Sequence, residues 1–261
     1  METSETIRVI SQSVQSNDRV IIYPVGDLHI GDPTAKIDLF TSLIDRVKKS
    51  NNEYLILLGD LVNNGIKSSV SNVYNEIIPP GEQKRLAVEL LRPVSQKIIG
   101  FVSGNHEYRT KKEVDQDISF DIALALGIEN RYDPHHLLID LLVVKSRYII
   151  YIFHGHSATR LPGGTINAYQ YVQFNVFGVD IYIHGHSHYP YVVPYTTFFY
   201  AHNNKKVQQK TFYDISVSPW TTWSGYAIRK QMRPRPILPI VIELEAKRKN
   251  IKIFFENSVN T

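Results

Sequence analysis

The chain has no cysteine among its 261 residues. That absence excludes disulfides, thiolate metal sites and a cysteine nucleophile. Any bound metal must be held by histidine, carboxylate and amide groups. Long apolar runs are also missing, and stretches such as YIIYIF (148–153) are far too short to span a bilayer. The opening METSETIRVISQSVQS lacks a basic start followed by an apolar stretch, so no secretory signal is expected and a soluble, cytoplasmic protein without a membrane partner is. No internal repeat, low-complexity tract or Gly/Ser linker divides the chain. The expectation is one domain over residues 1–261, with residues 1–16 and 256–261 as loosely held ends.

What is present belongs to an ordinary globular chain: 43% hydrophobic and 21% charged residues, enough for a sizeable core. The net charge of +4 is unevenly placed. From Tyr189 onward there are 11 Lys+Arg against 4 Asp+Glu, which makes 189–255 a basic, strand-rich C-terminal part. Such a part suits either a polyanionic partner or a solvated surface.

The first half alternates strand and helix patterns. RVIIYPVG (19–26), EYLILLGD (53–60) and KIIGFVSGN (97–105) are short apolar runs, each stopping at a polar turn. Between them Ile37, Phe40, Leu43, Ile44 and Val47 recur at helical spacing over 34–49, and Leu86, Leu90 and Val94 over 81–96. A third helix is expected over 115–126. The second half reads mainly as strands (137–145, 147–153, 179–184, 190–200, 207–217, 238–244 and 250–255), with one helix over 165–177. A βαβα opening followed by a run of strands implies an α/β fold of two packed mixed sheets with helices outside, a four-layer α/β/β/α sandwich.

The polar residues at the strand ends are of a particular kind. The first run ends in GDLH (Asp27, His29), the second in GDLVNN (Asp60), the third in SGNHEYR (Asn105, His106). Later runs end in FHGHS (His154, His156) and HGHSH (His184, His186, His188). Seven of the ten histidines lie in these five segments. In open α/β sheets, sites form beyond the carboxyl ends of strands, so these groups are candidates for one pocket. Each piece alone is weak: a Gly-Asp after a strand is commonly a turn or cap. Their order along the chain is what carries weight.

That order, D-x-H, then G-D, then G-N-H-E, then a single His, then G-H-x-H, resembles the calcineurin-like metallophosphoesterases over the span Asp27 to His188. The layout is similar to phosphoesterases of phage and prokaryotic type; for a phage-encoded member the corresponding location is the host-cell cytoplasm. The resemblance implies the same sandwich fold and a dinuclear metal site at the strand ends. It places one metal on Asp27, His29, Asp60 and His188, and the other on Asp60, Asn105, His154 and His186, with Asp60 as the bridge. Mixed nitrogen and oxygen ligation points to two divalent ions, manganese first, iron or zinc as alternatives, rather than calcium or magnesium. In the implied reaction, a hydroxide held between the metals attacks phosphorus. His106 donates a proton to the leaving group or stabilises it, and Asp60 serves the catalytic centre as bridge. Either His154 or His156 can be the ligand in FHGHS; His154 is preferred because it directly follows the apolar run and holds the family's usual position. His156 then touches substrate or orients a ligand.

Departures from the pattern bear on substrate. Serine/threonine phosphatases of the family carry G-D-x-V-D-R-G and an Arg before G-N-H-E, whereas this chain has Asn63, Asn64 and Ser103 at those positions. Such arginines bind a dianionic monoester bidentately. Their loss favours a phosphodiester substrate, in nucleic acid or nucleotides, with Asn64, Arg109 and His156 as candidate substrate contacts. The aromatic and basic residues after Tyr189 agree with base stacking, although tyrosine-rich strands also fill sheet cores. The alternatives are a phosphomonoesterase or protein phosphatase, and a non-catalytic metal-binding scaffold; retention of His106 argues against the scaffold.

Overall fold

The structure, a computed structural model, describes residues 7–16, 18–69, 73–156, 161–203, 205–223, 226–229, 231 and 233–256. In chain order the elements are β1 (Arg8–Val14), β2 (Arg19–Val25), α1 (Ile37–Lys49), β3 (Glu53–Leu57), α2 (Pro80–Leu91), β4 (Ile98–Val102), α3 (Asn105–Val114), α4 (Ile118–Leu126), β5 (Tyr132–Asp133), β6 (His136–Val143) and β7 (Ser146–Phe153). There follow α5 (Pro162–Asn175), β8 (Ile181–His184), β9 (Tyr191–Ala201), β10 (Lys206–Ser216), β11 (Ile240–Glu245) and β12 (Ile251–Phe255).

The strands form two six-stranded mixed sheets, β1-β6-β7-β8-β10-β9 and β12-β11-β2-β3-β4-β5. Alternation along the strands decides what each sheet packs against. In β2, Val20 and Ile22 join the core between the sheets, while Ile21, Tyr23 and Val25 face the layer of α1, α2 and α4. In β7, Tyr148, Ile150 and Ile152 point into the inter-sheet core, while Tyr151 and Phe153 pack with Tyr169 of α5. The four-layer α/β/β/α arrangement follows directly. The basic C-terminal strands are built into both sheets: β10 runs parallel to β8, and β11 lies antiparallel to β2.

Two expectations need correction. Residues 8–14 are not a loose end. They form β1, an edge strand parallel to β6 in register from Arg8↔Leu137 to Val14↔Val143. Only Ile10 and Val14 of this strand are buried, which is why RVISQSV carries so faint a strand signal. At the other terminus Glu256 donates its N–H to the Pro239 carbonyl (2.8 Å), and 257–261 lie outside the described residues, as do 1–6. The second correction is a helix the sequence did not signal: the one expected at 115–126 is α4, and a further helix, α3, precedes it over 105–114. Asp115 takes a left-handed φ of 56° and ends α3, and the Asp117 side chain accepts the Phe120 N–H to start α4.

Truncating a fully buried side chain between the sheets should cost transfer energy plus a cavity. Ile150→Ala is expected to lower unfolding free energy by about 2–5 kcal/mol, measured by urea titration. A change near zero would mean the inter-sheet core does not support this sandwich.

Candidate functional site

β2, β3 and β4 are parallel neighbours in one sheet, and β7 and β8 are parallel neighbours in the other. Their carboxyl ends therefore open on one edge of the sandwich. The chain there turns sharply. Asp27, His29, Asp60, Asn64, His186 and His188 all adopt positive φ, between 46° and 64°. Non-glycine residues rarely sit in this region, and a cluster of them marks a site that the surrounding packing forces into shape.

Glycine is required where the exits of β3 and β4 meet. Gly59 has φ +79°, and a Cβ there would run into the Gly104 backbone nitrogen; a Cβ on Gly104 would run into the Asp60 carboxylate. This approach sets Asp60 against the N-terminus of α3. The His106 N–H donates to Asp60 Oδ1 (2.8 Å). Glu107, fully buried one position on, accepts four backbone N–H groups. Oε2 takes those of Asp60 (3.0 Å) and Gly104 (3.1 Å), and Oε1 those of Leu61 (2.7 Å) and Val62 (3.1 Å). Burial and then the Asp60 charge push the Glu107 carboxyl up to about 7, while the backbone donors oppose this.

Asp27 does a similar service across the sheets. Its carboxylate accepts the His186 N–H at 3.1 and 3.0 Å and stands 3.3 Å from His188 Nε2. His29 Nε2 and His188 Nε2 are 3.2 Å apart. Asp60 Oδ2 faces His154 Nε2 at 3.3 Å, His106 Nε2 at 3.8 Å and His29 Nε2 at 3.9 Å. The Asn105 amide oxygen lies 3.0 Å from His154 Nε2 and 2.7 Å from His186 Nδ1. The groups Asp27–His29–His188, Asp60–His154–His186 and His29–Asp60–His106 each bring their donor atoms within 4.8 Å of one another.

These clusters fit divalent cations. Asp27 and Asp60 are buried, and among the described residues no lysine or arginine pairs with either. Buried carboxylates need positive charge. Burial favours the neutral acid, yet His188 holds Asp27 below the usual carboxylate range, and His106 and His154 hold Asp60 well below it. Burial drives His29 well down, lowers His106 and brings His186 to about 4. The neutral imidazoles of His29, His106 and His186, with carboxylates and an amide oxygen beside them, are a hard-to-borderline donor set open to a metal.

A family model for the calcineurin-like phosphoesterases matches residues 22–190. The chain belongs to that family. Its chemistry is the metal-dependent hydrolysis of phosphoesters. Two solved structures are similar across most of the molecule. One is a conserved uncharacterized protein, a predicted phosphoesterase, from Streptococcus pneumoniae (14% identity, 91% of this chain and 98% of that chain, TM-score 0.39). The other is a metallophosphoesterase from Sphaerobacter thermophilus (14% identity, 91% of this chain and 89% of that chain, TM-score 0.44). No match to a curated protein was found. No helix among the described residues is long and apolar enough to cross a membrane.

Within this calcineurin-like phosphoesterase the seven candidate ligands meet at one edge. His154 and His156 separate cleanly in space. His154 is buried, with Nδ1 2.6 Å from the Leu58 carbonyl, whereas Gly155 at φ +106° turns the chain and leaves His156 exposed, near Tyr169 and outside all three clusters. His184 points to the other face of its sheet, where Nε2 meets Tyr191 Oη (3.0 Å) and Asp214 Oδ1 (3.3 Å). Asn64 does not face outward as a substrate contact should. It is 1% exposed, and its amide donates to the His106 carbonyl (2.7 Å) and Thr110 Oγ1 (2.8 Å), so it holds α3 in place. Arg109 is half-buried on α3 and donates to Ser69 Oγ (3.1 Å) and weakly to the Asn63 carbonyl (3.4 Å), which also accepts from His106 Nδ1 (2.8 Å).

Two further residues join the site. Glu107 was legible as the E of G-N-H-E but not as the anchor of four N–H groups. Arg235, in the run RPRP, donates through Nη1 to the carbonyl of Ser187, between His186 and His188.

Glu107→Gln keeps the shape but leaves one oxygen to accept, so at least two of the four N–H groups lose their partner. Metal affinity is expected to fall about 10- to 100-fold, as for other residues that orient ligands, read by calorimetric titration with manganese; an unchanged affinity would remove Glu107 from the architecture of the site. Proton release gives a second check. Burial opposes charge on His154, but Asp60 beside it carries its pKa up to about 10. A metal binding there must displace that proton, so apparent affinity should rise as pH climbs from 7 toward 10. Titrations in buffers of different ionisation enthalpy should show about one proton released near neutrality, and pH-independent uptake would contradict this charge state.

Proposed function

We propose that this family member cleaves phosphodiesters, in nucleic acid or nucleotides, and that its seven candidate ligands hold two divalent metals. Asp27, His29, Asp60 and His188 hold one; Asp60, Asn105, His154 and His186 hold the other; manganese is the first candidate, iron or zinc the next. The metals, when bound, supply an activated water and neutralise charge on the phosphoryl oxygens. Asp60 lies between the two ligand sets and is the group able to touch both. His106 stands on the same side of the pocket, its ring held by the Asn63 carbonyl. With Nδ1 donating there, Nε2 carries a proton only when the ring is charged. In that charged form, which burial opposes and the Asp60 carboxylate favours, His106 would hand the Nε2 proton to the departing oxygen.

The observation that carries the diester reading is the fate of the two positions where protein phosphatases of the family hold arginine. Asn64 is turned inward, and Ser103 is buried with its hydroxyl 2.9 Å from that of Ser119. Neither position offers a cation to the site. A phosphodiester has one negative charge per phosphate and needs fewer cationic partners than a dianionic monoester. Arg109 supports substrate from the His106 side, and the exposed His156 is free to reach a longer substrate.

His106→Ala is expected to lower turnover of a nucleotide diester by about 10²–10⁴ with bound manganese unchanged. The loss should be smaller for bis-p-nitrophenyl phosphate, whose leaving group departs without a proton. Equal losses on both would remove the proton from the role of His106. Preference for p-nitrophenyl phosphate over diesters and single-stranded oligonucleotides would overturn the diester reading.

A further inference from the structure

Arg235 sits in the segment 233–239 that leads into β11, far in sequence from every candidate ligand. Its surroundings are unusual for an arginine. The residue is half-buried, its guanidinium carbon lies 5.3 Å from the centre of the Tyr189 ring, and Nη1 donates to the Ser187 carbonyl. Its Nε is buried without an acceptor, and among the described residues no carboxylate pairs with it. Arginine carries five N–H donors and a permanent charge, and taking it out of water without an anion is costly. A ring face and one carbonyl recover only part of that cost.

The missing partner is an anion, and the geometry says where it would come from. Ser187 separates His186 from His188, and Asp27 accepts the His186 N–H on the same turn. Burial lowers the Arg235 pKa, while Tyr189 and Asp27 are close enough to raise it. The carboxylates of this pocket are already matched to imidazoles and, on the reading above, to metals. An anion arriving at those metals would lie beside the turn that Arg235 braces.

We propose that Arg235 is a phosphate-binding residue of the site, its guanidinium taking a non-bridging oxygen of the scissile phosphodiester. It would supply from the C-terminal segment a cation that Asn64 and Ser103 do not. The inference rests on the phosphodiester reading for the identity of the anion. The alternative is that Arg235 only braces the Ser187 carbonyl and so supports the ligand turn.

The test uses the full chain loaded with manganese and inorganic phosphate as the probe. Arg235→Ala should weaken phosphate binding, by calorimetry, about tenfold or more, and raise KM for a diester by a similar factor with less change in kcat. Manganese stoichiometry and affinity should stay as in the parent protein. Arg235→Lys should recover part of the phosphate affinity, because charge is kept and the planar fork is lost. Unchanged phosphate affinity and KM in the alanine variant would overturn the proposal. Loss of manganese binding in both variants would also overturn it, since the arginine would then be a brace alone. A parent protein that binds phosphate through Arg235 but cleaves only monoesters would sink the diester reading and leave the phosphate contact standing. One that cleaves diesters with Arg235 irrelevant would do the reverse.

Discussion

Two carboxylates removed from water set the terms for this molecule. Asp27 and Asp60 are 0% and 1% exposed, and among the described residues neither has a lysine or arginine partner. In an apolar interior an uncompensated carboxylate would take up a proton. Here backbone N–H groups and imidazoles converge on both. His106 donates its N–H to Asp60, and His186 donates to Asp27. Each carboxylate thereby ties a strand exit to a segment distant in sequence. The charge that fits metal binding is also the cross-link that assembles the pocket.

Such an arrangement is bought with backbone strain. Six residues of the site hold left-handed φ values, at about 1–3 kcal/mol apiece for residues other than glycine. The sandwich beneath can sustain this because the strands feeding the turns are buried over their last residues. Leu57, Val102, Ile152 and Ile183 show no exposed surface, and their apolar faces fix each strand before its polar turn begins. Glu107 acts at the boundary. Three of its four bonds satisfy N–H groups of the β3 exit, whose carbonyls at Gly59, Asp60 and Leu61 accept from Asp27, His29 and Ile30 on the neighbouring exit of β2.

How much of this was legible follows from which physical signals are local. The strand exits announced themselves, because a buried strand must be apolar throughout and a metal-binding turn must be polar at once. EYLILL followed by GD is such a junction. The layers were legible for the same reason, since strand alternation and helix periodicity both report on burial. α3 was not. NHEYRTKKEV lies on the surface with only Glu107 and Thr110 buried, so it has no apolar stripe, and its start depends on a glycine and on a glutamate three of whose four partners lie in the turn after β3. β1 escaped notice because an edge strand needs few apolar residues. The inward turn of Asn64 was also out of reach: it depends on Thr110 and the His106 carbonyl, neither of which is a neighbour in sequence.

The C-terminal part illustrates a broader consequence of the topology. Read along the chain, the basic residues after Tyr189 looked like a surface feature that could serve any polyanion. Folded, this part adds strands to both sheets, β10 beside β8 and β11 beside β2, the very strands whose ends carry His186, His188, Asp27 and His29. Trp220 donates its N–H to the Asp27 carbonyl (3.0 Å) and packs against Phe40 with ring centres 5.6 Å apart, tying the segment after β10 to the first candidate ligand and to α1. Arg235, in the stretch that leads into β11, donates to the Ser187 carbonyl and is thereby held against the turn that carries His186 and His188. On the proposal above, charge from Arg235 would act from that contact rather than from a tail attracting substrate at a distance. That rigidity is what a site needs if it is to distinguish one charge from two at phosphorus, because an arginine free to swing would serve either.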